Sequence, residues 1–283
     1  MSQLIQLRQR IKAIETIKKI SHAMRLISMS MHSRLTQKIP LMQRYQKELT
    51  NLLGLIPTND ALSINPLLNP PITNTRTLII VVGSEKGLVG SFNSGIVHFF
   101  EKQVQYVNLS STDIIVVGKK LGDTLKHRYK IFKIIEDFNY SALTRTASTL
   151  FSLITSSDVT YGRVICYSSF PKSFFQQIPY QTQLIPFVPT SSAEQVSDQQ
   201  EQYIWEQPPQ EVLDYLAQEY LRFTIQKLLF ESFFGEQAAR FQSMDSATRN
   251  ADKLLDVMKL DYNKLRQAKI TKELIEVASG YQE

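Results

Sequence analysis

Cysteine is almost missing from this 283-residue chain: Cys166 stands alone. That excludes an intramolecular disulfide and a thiolate metal cluster. Long apolar runs are missing as well. The purest ones, such as Leu78 to Val82, fall far short of the ~20 residues needed to span a bilayer. Charged residues interrupt the N-terminus every few positions, which argues against a secretory signal. The chain therefore reads as a soluble protein of a reducing compartment. Histidine is sparse, and His22 and His32 are ten positions apart on one expected helix, not the three or four that align metal ligands. Both are expected as exposed helix residues. No nucleophile elbow and no His-Glu-x-x-His motif occurs, so an enzyme has little to stand on.

Helix breakers are absent from both ends. The first proline is Pro40 and the first glycine Gly54; after Pro209 only Gly235 and Gly280 remain. From Ser2 to Ile39 good helix formers dominate, giving a predicted helix roughly 57 Å long. Apolar residues recur at Leu4, Leu7, Ile11, Ile14, Ile17, Ile20, Met24, Ile27 and Met31. This is a heptad-like seam with a three-residue stammer near Ile17. Residues 210–279 continue the three/four spacing through Leu213, Phe223, Phe234, Phe241, Ala251, Leu254, Met258, Tyr262 and Leu265. Two long helices with one apolar seam each are most simply paired with one another.

What is present between them looks different. Thr77 to Val82, Asp113 to Val117 and Arg163 to Tyr167 are continuous β-branched and apolar runs, as in strands buried on both faces. Helical spacing at Ile96 to Tyr106 and Ala142 to Ile154 separates them, and Gln181 to Val188 suits a further strand. The pattern predicts a Rossmann-like α/β domain with a mostly parallel sheet. The expected fold is thus α/β plus a long antiparallel coiled coil, with N- and C-terminal helices forming a shaft. Its boundaries are 1–58 for the first shaft segment, 59–75 for a connection, 76–189 for the central domain, 190–209 for a loop and 210–283 for the second shaft segment.

Charge is unevenly placed. The chain carries 32 Lys and Arg against 26 Asp and Glu, a net +6. Met1 to Glu48 alone holds ten basic and two acidic residues, or +8, which leaves −2 for the remainder. A basic helix of this kind suits phosphates, an anionic membrane or an acidic protein surface. Nucleic-acid modules add aromatic platforms, and no Phe, Trp or Tyr precedes Tyr45. Membrane-surface helices carry a broader apolar face ending in Trp or Phe. Gly83-Ser-Glu-Lys-Gly-Leu-Val-Gly90 follows a strand, where phosphate loops occur. It fits neither the Walker nor the dinucleotide spacing, so a structural turn is the better expectation.

Several segments resemble the F-type ATP synthase gamma subunit family. Arg10-Ile11-Lys12 and Lys19-Ile20-Ser21-His22-Ala23-Met24 are similar to its N-terminal helix. Ser84 to Asn93 is similar to its Asp-Arg-Gly-Leu-Cys-Gly-Gly-Phe-Asn segment. At the C-terminus, Glu236-Gln237-Ala238-Ala239-Arg240, Met244, Ala247-Thr248, Asn250-Ala251, Tyr262 to Ala268, Ile270-Thr271, Glu273-Leu274 and Glu276 follow the family in order. Departures at Gly235, Glu85 and Val89 suggest a divergent or alternative-ATPase member. The resemblance implies a central-stalk rotor subunit with no catalytic, cofactor or metal site of its own. It implies alpha and beta subunits, an epsilon subunit and a c ring as partners, and no nucleic acid. It places shaft-to-ring contacts at Met24, Arg25, Arg240, Gln267, Thr271 and Glu273. It further implies a peripheral position at the cytoplasmic face of a bacterial inner membrane. On the residues alone, a basic coiled-coil protein that binds nucleic acid is the alternative.

Overall fold

The computed structural model describes residues 2–56, 65–68, 70, 76–105, 107, 109–156, 161–187 and 207–279. The expected connection at 59–75 and loop at 190–209 lie largely outside them. The chain divides into two compact units: Met31–Ala239, and Met1–Ser30 with Arg240–Glu283. Two helices, α1 (Ser2–Thr36) and α6 (Pro209–Ser279), contribute to both.

In the first of these units, β1 (Thr77–Val82) lies between β2 (Thr112–Val117) and β4 (Arg163–Ser173), parallel to each. β3 (Lys133–Ile135) adds to β2 in parallel, and β5 (Gln176–Ile185) adds to β4 in antiparallel fashion, giving the order β3-β2-β1-β4-β5. Successive residues of β1 serve opposite faces. Leu78, Ile80 and Val82 pack with Ile115, Val117, Leu150 and α6 residues such as Leu228. Ile79 and Val81 pack with Phe100, Val116, Leu121 and Tyr167. Helix α5 (Leu143–Thr155) and α6 cover the first face; α3 (Phe92–Val104) and α4 (Lys119–Leu125) cover the second. Burial on both faces is why these strands are uniformly apolar, not alternating. Each such fully buried aliphatic side chain contributes roughly 1.5–3 kcal/mol relative to exposure.

Two features exceed the sequence pattern. β4 runs on past its apolar stretch because Ser168 and Ser169, both 1% exposed, continue the ladder with β5. The three-residue β3 carries no signal of its own and is recruited by the edge of β2. Between β2 and α4, Gly118 has φ +101°, and an added Cβ would sit 2.7 Å from the Gly83 carbonyl oxygen. No other residue suits that turn.

The N-terminal run is two helices. A turn after Thr36 is closed by the Lys38 amide donating to the Leu35 carbonyl at 2.9 Å, and Pro40 sits in the first turn of α2 (Ile39–Leu55). There its missing N–H costs nothing, because that amide has no intrahelical acceptor. Leu49, Leu53 and Ile56 then pack against Leu213, Leu216 and Ala217 of α6. His32 corrects an expectation. It is half-buried, stacked on Phe234 at 4.1 Å between ring centres and met edge-on by Phe174 at 4.7 Å. Burial lowers its pKa from the ordinary value.

In the second unit, α1 and α6 run antiparallel. Glu15, Lys18 and Arg25 pair with Lys259, Asp252 and Asp245, so the partner number falls as the α1 number rises. Buried or half-buried positions of α1 include Leu4, Leu7, Ile11, Ile14, Lys18, Ser21, Arg25 and Ser28. Those steps alternate three and four without interruption. On α6 the matching set is Met244, Thr248, Ala251, Leu255, Met258 and Tyr262. The stammer expected near Ile17 is therefore absent. Ile17, Ile20 and Ile27 are 50%, 54% and 66% exposed, while Ser21 and Ser28 are 6% and 1% exposed. The heptad phase passes through small and charged residues, and the isoleucines fall on the outer side. Leu254 and Leu265 on α6, also expected inward, are exposed.

Candidate functional site

Within the antiparallel pair, Asp245 of α6 is the electrostatic centre. Its Oδ1 accepts from Arg25 Nη1 at 2.7 Å, and its Oδ2 from Arg249 Nη1 at 3.0 Å. Arg25 Nη2 lies 3.3 Å from His22 Nδ1. Both Arg25 and Asp245 are largely covered, so this pair is screened less than its neighbours. Two turns further toward the N-terminus of α1, Lys18 pairs with Asp252 at 2.5 Å in the open. The hydrogen bond that Lys18 donates to Asp252, and then the charge of that carboxylate, raise the Lys18 pKa. Part of the +8 of the N-terminal segment is thus answered inside the molecule.

The six residues implied by the family resemblance are not one constellation. Met24 is half-buried beside Arg25, within the three/four-spaced outer stripe that also holds Ile17, Ile20 and Ile27. Arg240 is 7% exposed. Gln267, Thr271 and Glu273 are exposed. The Thr271 hydroxyl donates to the Gln267 carbonyl at 3.0 Å, and Lys269 pairs with Glu273 at 3.3 Å. Continued along the register of the ion pairs, the start of α1 falls opposite about Gln267 and Ala268. The last turns of α6 run beyond it, and Leu274, Ile275 and Val277 are 65%, 62% and 60% exposed. Apolar surface of this extent on regular helices marks a face that another protein covers.

Residue-by-residue apolarity missed Ile17, Ile20 and Ile27 as surface residues. The signal was available: an unbroken heptad from Leu4 places Lys18, Ser21, Arg25 and Ser28 inside and those isoleucines outside.

The first two amides of the loop at Gly83 are engaged within the fold. The Gly83 N–H donates to the Val117 carbonyl at 3.0 Å and the Ser84 N–H to Asn93 Oδ1 at 3.0 Å. Asn93 Nδ2 donates back to Ser84 Oγ at 2.7 Å. Glu85 Oε2 accepts from the Lys119 amide at 2.9 Å and the Phe138 amide at 3.3 Å, stitching β1 to α4 and β3. The crevice beyond the carboxyl ends of β1 and β4, where open α/β sheets bind ligands, is filled by α6. A Cβ on Gly235 would stand 3.3 Å from Gln177 Cγ and 3.5 Å from Phe92 Cε2. Among the described residues no group of three His, Cys, Asp or Glu could hold a metal, and no helix is long and apolar enough to cross a membrane.

A strand-and-helix domain with its ligand crevice filled, and a helix pair with an uncovered apolar stripe, define a subunit whose surface is completed by other chains. The ATP synthase family model matches residues 3–282. Among curated relatives, the ATP synthase gamma chain of Christiangramia forsetii is 32% identical and that of Geobacter metallireducens 31%, each match covering 99% of this chain and 98% of the relative. The chain belongs to the ATP synthase gamma-chain family. Its fold is similar to a chain in the Euglena gracilis mitochondrial ATP synthase rotor, with TM-score 0.67 at 14% identity over 95% of this chain and 99% of that one. A chain of the Tetrahymena thermophila central stalk and c ring is similar at TM-score 0.58 and 18% identity, covering 81% and 99%.

Proposed function

We propose that this chain is the central-stalk rotor subunit of a rotary F-type ATP synthase or ATPase. It couples ion translocation through the membrane sector to ATP synthesis or hydrolysis in the alpha/beta head. The observation that carries this is the full-length match to gamma chains, joined to an antiparallel helix pair whose outer apolar stripe is uncovered. The segments 1–58 and 210–283 serve as the shaft and 76–189 as the domain that meets epsilon and the c ring. Met24, Arg25, Arg240, Gln267, Thr271 and Glu273 make the contacts with the ring of alpha and beta subunits. The pair presents a different face in each direction, so each beta subunit meets different contacts as the shaft turns. Differential contact shifts the populations of its open and closed states, which requires no catalytic residue on the shaft. The subunit acts at the cytoplasmic face of a bacterial membrane, held there by its complex.

Nucleic-acid binding is not favoured. Lys18 and Arg25 are turned onto Asp252 and Asp245 and do not form a free phosphate-binding stripe.

Reconstitution of the full chain with the alpha and beta subunits encoded beside it tests the proposal. One copy is expected to co-elute with the ring and to raise its ATPase activity. A chain that neither co-elutes nor alters turnover, yet is retained on DNA or RNA with steep salt dependence, would favour the alternative.

A further inference from the structure

Within the Met31–Ala239 unit, cations gather at one end of the sheet. β1, β2 and β4 begin level with one another, Thr77 standing opposite Thr112 and Arg163, and this defines an amino edge. Helices α3 and α4 each run back from the carboxyl end of one parallel strand to the start of the next, so their last turns and the segments that follow lie along that edge. Residues 119–133, from α4 to the first residue of β3, hold six Lys or Arg against one Asp. Three of these cations are answered: Lys119 by Glu136, Lys126 by Asp123 and Arg128 by Glu101. Lys130 and Lys133, with Lys102 in the last turn of α3 and Arg163 at the start of β4, are exposed and carry no ion pair among the described residues. Between the two lysines Phe132 is 59% exposed, and its amide donates to the Ile114 carbonyl at 2.8 Å, which pins it beside the amino end of β2. Leu109, just before β2, is 47% exposed. Tyr129 is turned inward instead, its ring centre 5.2 Å from that of Phe100.

Unanswered cations set around protruding apolar side chains match an anionic lipid surface, where ammonium groups take headgroup phosphates and apolar tips enter the acyl boundary. A nucleic-acid surface would present several aromatic faces for stacked bases. With Tyr129 packed on Phe100, Phe132 stands alone here. We propose that the amino edge of the sheet, through Lys102, Lys130, Phe132 and Lys133, docks on the headgroup surface of an anionic bilayer. The contact is with lipid, so it does not depend on the contacts proposed above with other subunits.

Co-sedimentation of the full chain with lipid vesicles tests it. The chain is expected to partition onto vesicles of phosphatidylglycerol and phosphatidylcholine in equal parts, not onto phosphatidylcholine alone, and to be released as salt screens the lysines. Lys130→Gln together with Lys133→Gln should weaken partitioning about thirtyfold, since each lysine near an anionic surface contributes about fivefold. Phe132→Ser should weaken it severalfold and leave its salt dependence unchanged. The basic first helix is the competing anchor, so Lys12→Gln together with Lys19→Gln, both exposed, is the charge-matched control and should partition like the parent. All these side chains are on the surface, so melting of each variant is expected to match that of the parent. Equal partition onto phosphatidylcholine, no partition at all, unchanged partition in Phe132→Ser, or equal losses in the two double variants overturns the proposal. So does retention on duplex DNA that is tighter than on the vesicles and lost with Lys130 and Lys133, which would make the edge a nucleic-acid surface.

Discussion

Glu231 is a carboxyl group placed where its charge is disfavoured. Burial raises its pKa above the ordinary 4.5, and the nearby Lys227 ammonium and the Tyr180 hydroxyl offset only part of that shift. The raised value has a definite consequence for stability. Below pH 4.5 the group is protonated in folded and unfolded chains alike and costs nothing. Above that, the unfolded chain releases its proton first, so the folded state binds more protons and its stability falls as pH rises. The fall ends once pH passes the folded-state pKa. Glu231→Gln removes this contribution while keeping an acceptor for Tyr180. The stability of the variant relative to the parent chain is therefore expected to rise as pH is taken from 4.5 toward neutrality. Urea unfolding across that range measures the difference; a difference that stays flat or declines would show that the Lys227 pair outweighs the burial.

At the scale of the element, α1 shows that a helix can carry two apolar stripes and bury only one. Its buried stripe holds Ser21 and Ser28, and its outer stripe holds Ile17, Ile20 and Ile27. Small hydroxyl residues let the backbones approach, and the stems of Lys18 and Arg25 pack while their heads reach Asp252 and Asp245. Opposite outcomes follow for adjacent residues. Ser28→Leu forces a larger side chain into a filled seam and should cost about 1–3 kcal/mol. Ile27→Ser changes only the surface and should stay within about 0.5 kcal/mol. Thermal unfolding of both variants decides the phase of the helix; the reverse order of effects would restore a stammered seam.

The same contrast explains what could be read from sequence. The three parallel strands around β1 were legible because burial on both faces leaves continuous apolar runs. The long terminal helices were legible because glycine and proline are absent from them. The phase of α1 was not, because apolarity alone cannot tell a seam from an exposed interface stripe. β3 was invisible, since three residues at a sheet edge owe their conformation to β2. The filled crevice at Gly235 depends on a contact between segments far apart in sequence. Of the candidate contacts, Arg25 was legible as a basic helix residue, but its partner Asp245 was not.

At the scale of the whole molecule, the outer stripe makes sense only in an assembly, and Met24 is its most informative member. It is half-buried at the margin of the seam, one residue from the Arg25–Asp245 pair, and flanked along the stripe by Ile20 and Ile27. A lysine there can extend its stem over the same surface and keep its ammonium in water, so the fold should tolerate Met24→Lys. The ring should not. A rotor works by favouring different states of the catalytic subunits at different angles, and a new cation on the face proposed to meet the ring alters which angular state is favoured. A bias of only about 1.4 kcal/mol changes a two-state population tenfold. The expected result is a complex that assembles and hydrolyses ATP, with melting of the variant chain close to that of the parent, but with fewer ions moved per ATP in sealed membranes. If the ratio of ions moved to ATP hydrolysed is unchanged, Met24 is a packing residue of the helix pair and the ring reads the shaft elsewhere, with Thr271 and Glu273 on the overhanging turns the next positions to change.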